Sequence, residues 1–326
     1  MPDSPRLHDG AHAWKGYALA VLAAVCWATG GVMAKWLMGP VDSATAAWPI
    51  ASPGMQLQPT ILAGARAILS FLLLLGYLVL RGPRSLRVAP RHLPFLAVFG
   101  VVAMAGLHVA YYQAIAYSNV ATAVLLEYLA PVIVLVLSVL FLDEPFRWVL
   151  PAGVALSVVG CALVVGALGG DGLVVSRAGI AWGLVAAILY ATYQLLGKWA
   201  STRHSPWTLL CYGLGFASVF WLVYVGGPAP IGEPFSTPVG ALALVYIALV
   251  ATVIPFGASL KALHYIDATK AVVTLTLEPV IAGVIAWTVL GERFDALQLL
   301  GGALVLAAIV LVQRASRLED VLPPVP

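Results

Sequence analysis

From Tyr111 to Phe146 the chain reads YYQAIAYSNVATAVLLEYLAPVIVLVLSVLFLDEPF, and from Ser259 to Phe294 it reads SLKALHYIDATKAVVTLTLEPVIAGVIAWTVLGERF. Laid over one another at a constant offset of 148, these stretches place Tyr117 on Tyr265, Pro131 on Pro279, Glu144 on Glu292 and Phe146 on Phe294. The match extends without a gap over residues 110–164 and 258–312, so Gly153 falls on Gly301. Upstream it resumes at an offset of 163, where GYALAVLAAVCWATGGVMAKW from Gly16 meets GIAWGLVAAILYATYQLLGKW from Gly179. The chain is therefore read as a doubled unit. The change of offset gives the first copy 15 extra residues, placed in the Pro-rich segment Gly39 to Pro59.

Composition sets the solvent. Hydrophobic residues make up 62% of the chain and charged residues 10%, whereas soluble chains run at about 45–50% and about 25%. Lipid must cover the excess. Ten apolar runs of about 20 residues, the length that crosses roughly 30 Å of hydrocarbon, fall near 14–38, 59–80, 93–117, 119–142, 146–168, 178–200, 205–226, 238–264, 269–290 and 294–314. Solid apolar runs, rather than alternation, exclude a barrel. The expected fold is an all-α polytopic membrane protein with ten transmembrane helices in two five-helix repeats. An odd number of helices per copy inverts the second copy relative to the first. The expected organisation is a tail 1–13, a first repeat 14–168, a linker 169–177, a second repeat 178–314 and a tail 315–326.

Thirteen of the 17 basic residues, led by the RGPRSLRVAPR loop, fall on one side if the N-terminus is inside. Lys35, Arg177 and Arg293 fall on the other, and Arg66 lies within a span. This bias puts both termini in the cytoplasm and makes the basic loop a topology determinant rather than a nucleic-acid patch. The first span is not read as a cleaved leader, because residues 16–36 recur inside the second copy. Cys26, Cys161 and Cys211 are isolated and lack the spacing of a metal or disulfide site. No phosphate loop, H-E-x-x-H or G-x-S-x-G occurs. The sequence calls for no cofactor and no enzymatic activity.

Two repeats, each with a Pro in its fourth helix and a carboxylate at that helix's end (EYLAPVIVLVLSVLFLDEP and LTLEPVIAGVIAWTVLGERF), resemble the drug/metabolite transporter superfamily, in its EamA-like branch of ten-helix carriers. The resemblance covers about residues 14–314. It implies a secondary transporter that moves a small metabolite, an amino acid or related amphipathic compound, across the cytoplasmic membrane by alternating access, in the export direction. An importer or exchanger of the same fold, an integral-membrane enzyme on lipid-linked substrates and a passive channel are the alternatives. The partners expected are a small-molecule substrate, membrane lipid and a proton or other coupling ion, with no nucleic acid. The oligomer is a monomer or a homodimer.

An ionisable group inside a span costs about 2.5–3.5 kcal/mol on insertion scales and so tends to face a cavity or a partner. Four qualify: Arg66, His108, Glu127 and Glu278. Arg66, Glu127 and His108 share a layer roughly 10–15 Å from one membrane face, at about 1.5 Å per residue. Arg66 and Glu127 are read either as a fixed bridge or as a pair that binds cargo. His108 shares a face with Tyr112 and Tyr111. Glu278, beside Pro279, has two readings: a partner for backbone loosened by the proline, sharing its face with Thr274 and Ala282, or a site of cargo contact and proton coupling. Trp27, Gly31 and Lys35 repeat as Tyr190, Gln194 and Lys198 at i, i+4, i+8: either Trp27 and Tyr190 are cavity walls with each lysine marking the cavity mouth, or they are lipid-facing aromatics with snorkelling lysines. Asn119 and Asp267 are read as helix N-caps, Glu144 and Glu292 as charges ahead of helices five and ten, and Gly153–Ser157–Cys161 and Gly179–Gly183 as stripes for close helix contact. If the topology is right, cysteines introduced at Ser52 and Ser85 label with impermeant maleimide from opposite sides of the membrane. Labelling from one side overturns the span count.

Overall fold

The structure, a computed structural model, describes residues 10–38, 55, 57–82, 86–118, 120–142, 144, 146–164, 167, 176–290 and 295–319. Every regular element among them is helical. The helices are α1 (Gly10–Met38), α2 (Pro59–Arg81), α3 (Leu93–Val98), α4 (Leu107–Tyr117), α5 (Val120–Glu127), α6 (Ala130–Phe141), α7 (Val149–Val164) and α8 (Arg177–Ala200). There follow α9 (Pro206–Tyr224), α10 (Pro228–Ile231), α11 (Pro238–Ala248), α12 (Ile254–Ala262), α13 (Ala268–Leu275), α14 (Leu277–Leu290) and α15 (Ala296–Glu319). Eight stretches among the described residues are long and apolar enough to cross a membrane, from Thr60–Arg81 to Ala296–Gln313. The apolar α7 is shorter, at 16 residues. Large apolar side chains such as Leu80, Phe141, Trp148, Val223 and Leu242 stand fully outward, as a lipid-facing surface requires. Asn119, Glu292, Arg293, most of the Gly39–Pro59 segment and of the 169–177 linker, and the side chains of Gly31 and Lys35 lie outside what the structure describes.

The two copies are alike in their irregularities as well as in their helices. A π-helical stretch, Phe99–Gly106, joins α3 to α4, and another, Leu249–Val253, joins α11 to α12. Shifted by the repeat offset, the first stretch covers the second. The fourth expected span of each copy is broken, at Tyr128–Leu129 and at Thr276, ahead of Pro131 and Pro279. A proline lacks the amide donor and crowds the carbonyl four residues back, so the helix ends before it and restarts with the proline in its first turn.

The copies are packed reciprocally. Helix α1 packs on α12, α13, α14 and the 249–253 stretch, while its counterpart α8 packs on α4, α5, α6 and the 99–106 stretch. The remaining equivalent pairs meet each other, α2 with α9 and α7 with α15. Each copy therefore buries its first helix in the other. Helices α7 and α15 approach each other closely enough for backbone to meet backbone. A Cβ on Gly160 would lie 2.8 Å from the Gly301 carbonyl oxygen, and one on Gly301 would lie 2.7 Å from the Gly160 carbonyl oxygen. Gly153 also presses on α15, at Val312, and Gly179 and Gly183 press on Ser118 and Leu126, so both expected small-residue stripes make close contacts.

One polar cluster ties the copies at the end of α6, and it corrects two sequence readings. Asp267 makes no side-chain cap on α13; its carboxylate pairs with Lys270 at 2.9 Å. The cap comes from the other copy: buried Glu144 accepts from the Ala268 amide at 2.6 Å and from the Thr269 hydroxyl at 3.0 Å. The chain brings Glu144 back over α13 instead of onto its own next helix, because Ser138 on α6 already meets Thr269 at 2.9 Å. Burial and the neighbouring Asp267 push the Glu144 carboxyl above the usual carboxylate range, while the Ala268 amide pulls it back. Lys198 is likewise structural: its ammonium donates to the Leu263 and Ile266 carbonyls at 2.9 and 2.8 Å, closing the C-terminal end of α12. Two outcomes are expected from thermal melts in detergent. Gly160→Val forces backbone apart and costs about 1–3 kcal/mol, and Glu144→Ala, which strips α13 of its cap, costs about 0.5–2 kcal/mol. Wild-type melting of either variant contradicts the corresponding contact.

Candidate functional site

A narrow cavity opens between α2, α9, α12 and the two π-helical stretches. Ala63, Arg66, Met104, His108, Trp221, Thr252 and Phe256 are among the residues that line it. The side chains leave room for only about one water. Its polar centre is a pair built across two helices: the Arg66 guanidinium of α2 meets His108 Nε2 of α4. His108 Nδ1 lies 2.6 Å from the Met104 carbonyl. A carbonyl only accepts, so Nδ1 carries the hydrogen and Nε2 presents its lone pair to Arg66. The π-helical turn sets this geometry, because Met104 lies within it and His108 follows two residues after its end. Thr252, in the second π-helical stretch, donates back to the Ile247 carbonyl at 2.9 Å.

A second polar group gathers at the broken helices. Glu127 closes α5 and Glu278 opens α14, each at its copy's break, and the two lie within electrostatic reach of one another. Tyr128, Cys161 and Tyr190 stand near the Glu278 carboxyl. Both glutamates sit in the body of their spans yet keep some accessible surface, as groups lining an internal space do. Tyr111 lies within electrostatic reach of both carboxyls and of Arg66.

Aromatic rings join the two. Phe256 is at the centre, with Trp27 edge-on at 5.2 Å, Tyr193 edge-on at 5.5 Å and His108 at 6.2 Å between centroids. Tyr190 stacks on Tyr193 at 6.4 Å and 7°, and Tyr112 lies 6.4 Å from His108. Tyr193 is fixed by its hydroxyl, 3.0 Å from Ser259 Oγ.

All seven residues singled out from the sequence, Trp27, Arg66, His108, Tyr112, Glu127, Tyr190 and Glu278, thus fall in one connected region. Two expected relations within it do not form. Arg66 pairs with His108 and makes no bridge to Glu127, because Glu127 ends its helix facing Glu278 and Tyr111. Thr274 does not share a helical face with Glu278, since the break at Thr276 intervenes and the Thr274 hydroxyl returns to the Lys270 carbonyl. Ala282 does, on α14. Sequence reading missed Phe256, Tyr193, Tyr128 and Trp221. Only Tyr128, beside Glu127 at the break, carried a signal; the others are aromatic residues in apolar runs, which composition does not separate from lipid-facing ones. Among the described residues, no three or more His, Cys, Asp or Glu gather to hold a metal.

Comparison with known proteins places this architecture. The EamA-like transporter family matches the chain twice, over residues 14–166 and 177–314. A probable terminal-alkyne amino-acid exporter of Streptantibioticus cattleyicolor is 31% identical over 73% of this chain and 77% of its own length. The threonine/homoserine exporter of Escherichia coli is 29% identical over 79% and 86%. A solved crystal structure at 17% identity superposes with a TM-score of 0.75 over 94% of this chain and 98% of that one, a likeness of fold. Two family matches that span nearly the whole helical chain identify it as a multi-pass membrane protein, a transporter rather than an enzyme, and a member of the EamA-like transporter family.

Proposed function

We propose that the chain is an amino-acid exporter of the cytoplasmic membrane that works by alternating access. The reading rests on a guanidinium, paired with His108, and a pair of carboxyls that all lie within electrostatic reach of Tyr111 in one interior lined by aromatic residues. A zwitterion needs that arrangement. Arg66, whose planar fork suits a carboxylate, holds the carboxylate end, with His108 steadying the guanidinium. Glu127 and Glu278 hold the ammonium end, and Trp27, Tyr190, Tyr112 and Phe256 wall the space between. The names of the two exporters above, both of amino acids, support the cargo class and the direction.

Ten crossings, adding α1 and α7 to the eight long apolar stretches, in two inverted five-helix repeats (14–168 and 178–314) would put the site at the repeat interface. Inverted-repeat carriers bind there, at discontinuous helices. The reciprocal packing of α1 and α8, the equivalent breaks and the double family match support this organisation. The Glu144 cluster, which the bias of basic residues puts on the cytoplasmic face, would hold that side shut and separate when the carrier turns inward. Glu278 is assigned a second duty, carrying the coupling proton back when cargo has left, since proton and ammonium compete for the same carboxyl pair.

Proteoliposomes loaded with labelled amino acids test this. Wild type should exchange them and accelerate under a pH gradient. Arg66→Ala, which removes charge-assisted hydrogen bonds of about 1.5–3 kcal/mol, should lower transport roughly 10- to 100-fold with folding intact. Glu278→Gln should abolish the response to the pH gradient while sparing part of the exchange. Amino-acid transport unchanged in Arg66→Ala, or a pH response unchanged in Glu278→Gln, removes that residue from the site.

A further inference from the structure

Among the described residues, Gln194 is the buried helical side chain whose polar atoms are both unmet. It is 0% exposed on α8, and neither its Nε2 nor its Oε1 has a hydrogen-bond partner. Its neighbours on the helix are satisfied: Tyr193 bonds Ser259, and Lys198 bonds two carbonyls. The Tyr190 hydroxyl, one turn away, comes near the amide without reaching hydrogen-bond geometry. A buried polar group left unmet costs about 1–3 kcal/mol. A leucine of similar volume would carry no such cost. The position of the amide gives it a use. Tyr190 is within electrostatic reach of Glu278 and Glu127, so Gln194 stands one helical turn from a residue of the carboxyl cluster.

We propose that Gln194 is a specificity residue, which hydrogen-bonds a side-chain hydroxyl of the cargo. This rests on the amino-acid reading above and deepens it. A primary amide offers two donors and an acceptor, and a hydroxyl both donates and accepts, so one alcohol can satisfy Nε2 and Oε1 in turn or bridge them. An aliphatic side chain of the same shape leaves the amide as it is in the resting protein. A site built around a buried polar group rejects cargo that cannot pair with it, whereas an apolar wall barely separates the two. With Glu127 and Glu278 on the ammonium and Arg66 on the carboxylate, Gln194 becomes the third point that distinguishes one small amino acid from another.

The test uses shape-matched pairs in proteoliposomes of the full chain: L-threonine against L-valine and L-homoserine against L-norvaline. Wild type should favour a hydroxylated member by about tenfold, the worth of one net hydrogen bond. Gln194→Leu should carry both members of that pair at similar rates, by losing the hydroxylated one alone. A folded Gln194→Leu that keeps the preference, or that slows both members equally, overturns the proposal. So does a wild type that carries both members of each pair equally, which leaves the amino-acid reading standing; a wild type that carries none of the four sinks both. If Gln194→Leu does not fold, the stabilisation of wild-type melting by each member of a pair reads the same preference, and equal shifts overturn it.

Discussion

A backbone amide or carbonyl in hydrocarbon has no water to bond, so each must find its partner within the protein or cost several kcal/mol. That constraint makes every described regular element a helix and decides where helices are allowed to fail. The breaks at Tyr128–Leu129 and Thr276 and the two π-helical stretches lie where the copies are packed together. Their loosened groups are met by the opposite copy as well as their own. Ser70 of α2 donates to the Ala248 carbonyl at the mouth of the second π-helical stretch, at 3.0 Å. Cys161 of α7 points its thiol at the Thr276 carbonyl, 3.9 Å away. Irregular backbone and polar side chains therefore collect in one seam, and that seam holds the candidate site.

Reciprocal packing does the rest. With α1 lodged against α12 and α8 against α4, aromatic residues from both copies reach the same centre: Trp27 of α1, His108 of α4, Tyr193 of α8 and Phe256 of α12. A duplicated chain gives such a site twofold character without making it symmetric. Trp27 and Tyr190 fall at equivalent positions, yet Trp27 packs edge-on against Phe256 whereas Tyr190 stacks on Tyr193 within electrostatic reach of the two carboxyls. Glu144 illustrates the same economy at the margin, since one buried carboxylate both caps α13 and fastens it to the copy that contains α6.

Much of the site was legible because charge in lipid is expensive. Arg66, His108, Glu127 and Glu278 stand out from apolar runs on that ground alone, and all four lie in the connected region. Their partners were not legible. Depth along a helix can be counted from sequence, but the angle at which a side chain leaves the helix depends on local winding, and both His108 and Glu127 sit beside departures from α-helical geometry. Equal depth thus suggested Arg66 with Glu127, whereas the π-helical turn aims His108 at Arg66 and the break leaves Glu127 facing Glu278. Glu144 escaped for a related reason: a capping oxygen supplied from 124 residues away leaves no trace in local spacing.

The solvent, the duplication, the helical class and the identity of the few ionisable groups in the interior are all readable from the chain before it folds. Each of these follows from composition or from spacing along one chain, which hydrocarbon reads directly through hydrophobic cost. Only the tertiary structure decided which of those groups face one another, that Phe256 sits at their centre, that Lys198 closes a helix instead of marking a cavity mouth, and that Gln194 is buried without a partner. Those are properties of two copies folded into each other, and contacts across such a seam are set by winding and crossing of helices from distant parts of the chain, which no local pattern records.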